Sequence, residues 1–305
     1  MVTDMKIGII GLGSIGLLLS ACLAREDHQV TCYVRRNQQK ERLRTKGVSL
    51  YTLHHNRPSS FKVNAKSLGE LDEHDLYVVC VKYPQLDEVI QTLRTKAPDN
   101  KPILFLQNGM SHVEWVSTLQ QPVFIGVLDH GARRKNDHSV EHTGAGVIRI
   151  GALVKKDKTL MNHILDVLDT SDFPWIYDEN PINLLKQKLV VNAVINPLTA
   201  IFDVENGELL TNPYLYHLAK GLCEETCQVL QFPFDKYWDY VKRVAKHTGR
   251  NSSSMREDIR NQNQTEIDTI SGYVLKQSIR KLPYTSFVYN GIKALENRTG
   301  SVSHD

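Results

Sequence analysis

The stretch that most narrows what this chain can fold into is Met5-Lys-Ile-Gly-Ile-Ile10 running directly into Gly11-Leu-Gly-Ser-Ile-Gly16. The first six residues form a short buried-strand signal, and an apolar helical run follows at residues 17–24. A second strand pattern, Gln29-Val-Thr-Cys-Tyr-Val34, comes next. Strand, glycine turn, helix and strand in that order make a βαβ unit. In such a unit Gly11 permits the tight turn, Gly13 lets a pyrophosphate approach the backbone, and Gly16 lets helix pack closely on strand. Gly11, Leu12, Gly13, Ser14, Ile15 and Gly16 are therefore the expected cofactor-binding loop. A glycine turn without a nucleotide is the competing reading.

The end of the second strand selects the dinucleotide. A carboxylate there would bond a ribose 2′-hydroxyl, but the chain reads Tyr33-Val-Arg35-Arg36-Asn37. Arginine meets a 2′-phosphate with paired N–H groups, so Arg35 points to NADP(H). Two solvated surface arginines are the alternative.

The first half continues to alternate. Residues 47–53 read as a strand with 61–64 as a hairpin partner, and His54 and His55 fall in the loop between them. Residues 75–82 form an apolar run ending in Lys82, as in a strand covered on both faces whose carboxyl end reaches the cofactor crevice. Residues 102–109 repeat that design and end in Asn108-Gly109, where a turn can present an amide to a ligand. Residues 123–128 and 143–151 supply further strands, the latter expected in a closing antiparallel unit. His130, His138 and His142 are irregularly spaced and read as structural or solvent-facing residues rather than metal ligands.

Composition excludes several classes. With 37 basic and 34 acidic residues the net charge is +3, so no chain-wide field favours nucleic acid or an acidic membrane as partner. The five cysteines are odd in number and sit mostly in apolar or helical runs, which favours a reducing compartment. Cys223 and Cys227 lack further ligands at zinc spacing, so no metal is expected. Without a secretory leader or an apolar run of membrane length, the expected location is cytoplasmic.

Beyond about residue 178 strand signals stop. Helices are expected at 182–201, 212–231, 235–247, 255–261 and 265–280, with a last one from 285 and a frayed tail over 298–305. The pattern implies a Rossmann-type α/β N-terminal domain, residues 1–178, that binds NADP, and an all-α C-terminal domain, residues 179–305, that carries substrate and catalysis.

The first of these helices is apolar nearly all round, yet Lys188, Asn192 and Asn196 fall at i, i+4 and i+8 and share one face. A Lys aligned with two amides on an apolar helix is costly unless partnered. The stripe reads as a pocket wall with a Lys tuned for proton transfer, or as a solvated seam. Pro197 is expected to end or kink the helix. Further on, Thr248-Gly-Arg-Asn251-Ser-Ser-Ser254-Met255 offers hydroxyls for capping or for a carboxylate, and Glu266 is expected in the first turn of a helix.

These motifs together, with Asn206-Gly207-Glu208-Leu209 and Thr265-Glu266-Ile-Asp268, resemble the 2-dehydropantoate 2-reductase (ketopantoate reductase) family over nearly the whole chain. The resemblance implies NADPH-dependent reduction of 2-dehydropantoate to (R)-pantoate, a step toward pantothenate and coenzyme A. It implies Lys188 as general acid, Asn192, Asn196, Asn206 and Ser254 as substrate ligands, Asn108 between cofactor and substrate, and Ala132 and Glu266 as cofactor contacts beside Lys82. Residues 261–264 depart from the family pattern, which bears on substrate breadth. The partner is then a small 2-keto acid, and a homodimer is compatible with this reading. A reductase of another branched 2-keto acid and a non-catalytic NADPH-binding regulator are the alternatives.

Overall fold

The computed structural model describes residues 4–52, 57–154, 157–170 and 172–298. His54, His55 and the tail beyond Arg298 lie outside the described residues. The chain divides into two compact units, Met1–Gln107 with His112–Leu184, and Asn108–Ser111 with Leu185–Asp305.

The first unit contains, in order, β1 (Lys6–Ile10), α1 (Ser14–Arg25), β2 (Gln29–Tyr33), α2 (Asn37–Lys46), β3 (Val48–Thr52), β4 (Ser59–Phe61), β5 (Asn64–Lys66), β6 (Leu76–Val79), α3 (Leu86–Lys96), β7 (Ile103–Phe105), α4 (Val113–Val116), β8 (Val123–Leu128), β9 (Gly131–Arg134), β10 (Ser139–Gly144), β11 (Ile148–Val154), α5 (Lys158–Leu168) and β12 (Trp175–Tyr177). Eight strands form one sheet in the order β12-β11-β8-β7-β6-β1-β2-β5. Its pairs are parallel apart from β8 with β11. Every residue of β6, β7 and β8 is buried, so both sheet faces are covered and these strands read as unbroken apolar runs. A second sheet runs β4-β3-β10-β9. Helix α1 packs against strands of both sheets, which explains why residues 16–23 are all buried.

Register puts the strand ends level. Ile10 lies opposite Tyr33 on one side and Val79 on the other, and Val79 lies opposite Phe105. The loops that leave β1, β2, β6 and β7 therefore start side by side, about 4.8 Å apart. The chain turns from one side of β1 to the other between β2 and β6, which makes this edge the switch point where α/β sheets receive ligands.

Several expectations are corrected here. The hairpin partner of β3 is Ser59–Phe61, while Asn64–Lys66 extends the other sheet beside β2. The single strand expected at 143–151 is two, since Thr143 and Gly144 end β10 and β11 begins at Ile148. Only β11 closes the large sheet antiparallel to β8. All five cysteines are free thiols, and Cys223 and Cys227 place their sulfurs 3.9 Å apart in a buried setting. Among the described residues no group of three or more His, Cys, Asp or Glu could hold a metal, and no helix is long and apolar enough to cross a membrane.

The second unit is helical: α6 (Pro181–Phe202), whose first turn belongs to the first unit, α7 (Glu208–Thr211), α8 (Pro213–Leu230), α9 (Phe234–His247), α10 (Ser254–Arg260), α11 (Ser271–Gln277) and α12 (Pro283–Arg298). Pro197 does not end α6, which continues to Phe202. One lost helical hydrogen bond is outweighed by the burial of Leu198 and Ala200 beyond it. Glu266 is not in a helix's first turn, because residues 266–270 form a bend and turns ahead of α11. Helix α12 holds them so: the Glu296 carboxylate accepts from Thr265 N and Oγ1 at 2.8 and 2.7 Å, and Asp268 accepts from Tyr289 Oη at 2.9 Å and Lys293 Nζ at 3.2 Å.

Helix α12 is in turn capped from another helix. The buried carboxylate of Glu225 on α8 accepts from Tyr284 N, Thr285 N and Thr285 Oγ1 at 3.0, 2.8 and 2.6 Å, satisfying amide donors that the helix start leaves open. Glu225→Ala is expected to destabilise the chain by about 2 kcal/mol or more, read as a lower urea midpoint, and Glu225→Gln by less.

Candidate functional site

The glycine turn in the first unit is explained glycine by glycine. Gly11 has φ +96°, and a Cβ there would meet Val81 Cγ1 at 2.6 Å and Val81 N at 2.7 Å. A Cβ on Gly16 would fall 2.0 Å from the carbonyl oxygen of Gly11, so this position admits only glycine if the turn is to close. Gly13 differs, since a Cβ there meets nothing within 4 Å. Gly13 is also the N-cap of α1, with no side-chain cap and no acidic residue in the first turn, so the helix start offers its N–H groups to an incoming anion. Ser14 and Ile15 are half-buried at that start, and the carbonyl of buried Leu12 accepts from Gln39 Nε2 at 3.0 Å.

The two arginines after β2 have separate fates. Arg36 pairs with Asp137, which also receives Arg134 and Arg42, and the three guanidiniums hold the Asp137 carboxyl below its ordinary range although partial burial opposes them. Arg35 is exposed and makes no hydrogen bond or ion pair among the described residues. Lys82 stands half-buried after β6, one residue beyond the Val81 backbone that packs on Gly11. That backbone is held by Gln107, whose Nε2 donates to the carbonyls of Val79 and Val81 at 3.0 and 3.2 Å. Ala132 lies in β9 of the second sheet, opposite His142.

His130 and His142 are joined, Nδ1 to Nε2, at 3.0 Å, and His130 stacks on Phe173. Burial pushes His130 down to about 4, so it is neutral at pH 7, and its Nδ1 also accepts from Gly146 N at 3.1 Å. This is packing chemistry for the β8–β10 connection.

Within the second unit α6 carries the stripe: Lys188 and Asn192 half-buried, Asn196 buried, about 6 Å apart in succession along the axis. Asn108 and Glu266 are brought together, Asn108 Nδ2 donating to Glu266 Oε2 at 2.9 Å. Beside them Gly109, at φ +80°, packs on the Thr269 carbonyl, where a Cβ would come within 2.4 Å. Ser253, not Ser254, caps α10, accepting from Arg256 N at 3.1 Å, and its hydroxyl lies 2.7 Å from Thr199 of α6. Ser254 is thereby left exposed as the first residue of that helix. Asn206 is buried, and residues 206 and 207 bond through their N–H groups to the carbonyls of Asn251 and Gly249 at 3.2 and 2.9 Å. Thr199 and Gln107 escaped assignment from the sequence, since Ser253 lies 54 residues from Thr199 and the carbonyls that Gln107 holds lie 26 and 28 residues from it.

A largely parallel sheet with a glycine turn at its switch point is the architecture of dinucleotide-binding α/β proteins. The comparisons make this specific. Residues 7–155 match the family description "Ketopantoate reductase PanE/ApbA", and residues 182–296 match "Ketopantoate reductase PanE/ApbA C terminal". The 2-dehydropantoate 2-reductase of Bacillus subtilis (strain 168) is 39% identical over 305 residues, covering 98% of this chain and 100% of that protein. The crystal structure of the probable 2-dehydropantoate 2-reductase panE from Bacillus subtilis superposes with a TM-score of 0.85 at 38% identity, covering 95% of this chain and all of that one. A D-mandelate dehydrogenase solved with NADH and anilino(oxo)acetate shares the fold, with a TM-score of 0.89 at 21% identity and coverage of 97% of this chain and 100% of that one. The chain belongs to the ketopantoate reductase family, a family of oxidoreductases.

Glycine replacements separate the two roles in the turn. Gly16→Ala is expected to lower the thermal unfolding midpoint clearly, because the added carbon meets backbone. Gly13→Ala should cost about 1 kcal/mol or less in stability while weakening dinucleotide binding, measured by titration of nucleotide fluorescence.

Proposed function

We propose that this protein reduces 2-dehydropantoate to (R)-pantoate with NADPH. The observation that carries the reading is the alignment of Lys188, Asn192 and Asn196 on one face of α6, whose residues 189–198 are otherwise apolar. Full-length similarity to proteins named for this reaction supports it.

The residues present fit the cofactor. The uncapped start of α1, with open space over Gly13, suits a pyrophosphate. Arg35, unpaired among the described residues and with no carboxylate beside it in sequence, suits a 2′-phosphate. Gly11 to Gly16, Arg35 and Lys82 would hold NADPH, and Asn108, Ala132 and Glu266 are assigned to it as well. When bound, NADPH supplies the hydride that reduces C2.

The chain's own residues do the rest. Lys188 donates a proton to the substrate's carbonyl oxygen as negative charge develops there, so that the ketone becomes a secondary hydroxyl. Asn192, Asn196, Asn206 and Ser254 orient the substrate, and the bond from Asn108 to Glu266 fixes the amide of Asn108.

The test is consumption of NADPH, and separately of NADH, with 2-dehydropantoate. NADPH is expected to be strongly preferred, and no turnover with either would remove the reading. Lys188→Ala should lower kcat by roughly 10²–10⁴-fold without abolishing cofactor binding. Arg35→Ala should raise KM for NADPH by roughly tenfold and leave KM for NADH nearly unchanged, erasing most of the preference.

A further inference from the structure

Asn206 is 7% exposed, and its carbonyl oxygen Oδ1 is buried with no hydrogen-bond partner among the described residues. Such an acceptor inside a folded chain calls for an occupant. What faces it follows from Thr248, the residue that closes α9. The Thr248 hydroxyl donates its one proton to the Val244 carbonyl at 2.8 Å, and toward Asn206 it acts as an acceptor, receiving Nδ2 at 2.9 Å. This arrangement makes two hydrogen bonds where the flipped amide would make one, so it fixes which end of Asn206 is which. The backbone cannot drift to undo it, because Asn206 N and Gly207 N are tied to the Asn251 and Gly249 carbonyls.

We infer that Thr248 is a specificity-determining positioning residue: it anchors the NH2 end of the Asn206 amide so that Oδ1 is the end left without a partner, and that acceptor reads the substrate's hydroxyl. The inference rests on the proposed reduction of 2-dehydropantoate. At neutral pH that substrate carries a carboxylate and a ketone, both acceptors only, and a single donor, the hydroxyl of its hydroxymethyl group. A fixed acceptor at Asn206 can pair with the hydroxyl and with neither of the other groups. The carboxylate and ketone are thereby left to the donors Lys188, Asn192, Asn196 and Ser254.

The test compares 2-dehydropantoate with 3,3-dimethyl-2-oxobutanoate, which has a methyl in place of the hydroxymethyl, using NADPH with the wild-type protein and with Thr248→Val and Thr248→Ser. The wild type is expected to favour the hydroxylated acid in kcat/KM. In Thr248→Val the amide loses its anchor, and the ratio of the two kcat/KM values is expected to fall roughly tenfold, mainly through a higher KM for 2-dehydropantoate. Thr248→Ser keeps the hydroxyl and should hold the ratio within about twofold of wild type. A purely structural role would lower both substrates together and leave the ratio where it was. An unchanged ratio in Thr248→Val, or a ratio in Thr248→Ser as low as in Thr248→Val, overturns the inference and leaves the proposed reaction standing. A wild type that ignores 2-dehydropantoate or prefers the methyl analogue overturns the proposed reaction and the inference with it.

Discussion

The first unit depends on an approach that no side chain could tolerate. Helix α1 leaves β1 through a turn in which the Cα of Gly16 sits against the carbonyl of Gly11, and a single methyl there would overlap that oxygen. The closeness lets the helix begin within four residues of the strand's end, with its N–H groups facing the edge where β1, β2 and β6 all terminate. It also lets α1 pack against both sheets at once. A helix displaced by even an ångström would leave voids among side chains such as Leu17, Leu18 and Leu19, all fully buried. Binding chemistry and core packing thus rest on the same contact.

The second unit solves a different problem, that of keeping polar groups in an apolar helical bundle. Glu225 satisfies the start of α12, and Asp203 accepts from Arg256 and Arg260, which holds its carboxyl down at about 2. Glu296 and Asp268 between them fix the turns that carry Glu266. Each of these carboxylates is met by several donors, as buried or constrained charge requires. Against that background the unpartnered Oδ1 of Asn206, like the hydroxyls of Ser252 and Ser271, is an exception, and it alone of the three belongs to an amide anchored at its other end by Thr248.

The sequence was most readable where the information is local. The glycine turn, the unbroken apolar strands and the helices near 182–201, 212–231, 235–247 and 255–261 all appear within one residue of expectation or in the expected order. The stripe on α6 was legible because a helix converts a spacing of four into a shared face. Long-range partners decided what was missed. Nothing near Arg36 announces Asp137, 101 residues on, which occupies Arg36 and leaves Arg35. Glu266 looked like a helix start because its own neighbours suit one, but Glu296, Tyr289 and Lys293 on α12 hold that segment in turns. Asn64 continued an apparent hairpin, yet the exposed side of β2 was available and captured Asn64–Lys66.

The small second sheet has a kinetic consequence. Its central pair, β3 with β10, runs parallel with Ser49 opposite Ser139, so about 90 residues must be arranged before the first of those hydrogen bonds can form. Closing so long a loop brings an entropic cost that short strands cannot offset alone, and contacts of such separation slow a fold's assembly. The second sheet is therefore expected to form late, on a scaffold that α1 and the large sheet have already built. In the nascent chain β3, paired with β4 on one side, waits with its other edge open through the synthesis of β5 to β9, which makes it dependent on the timely arrival of β10.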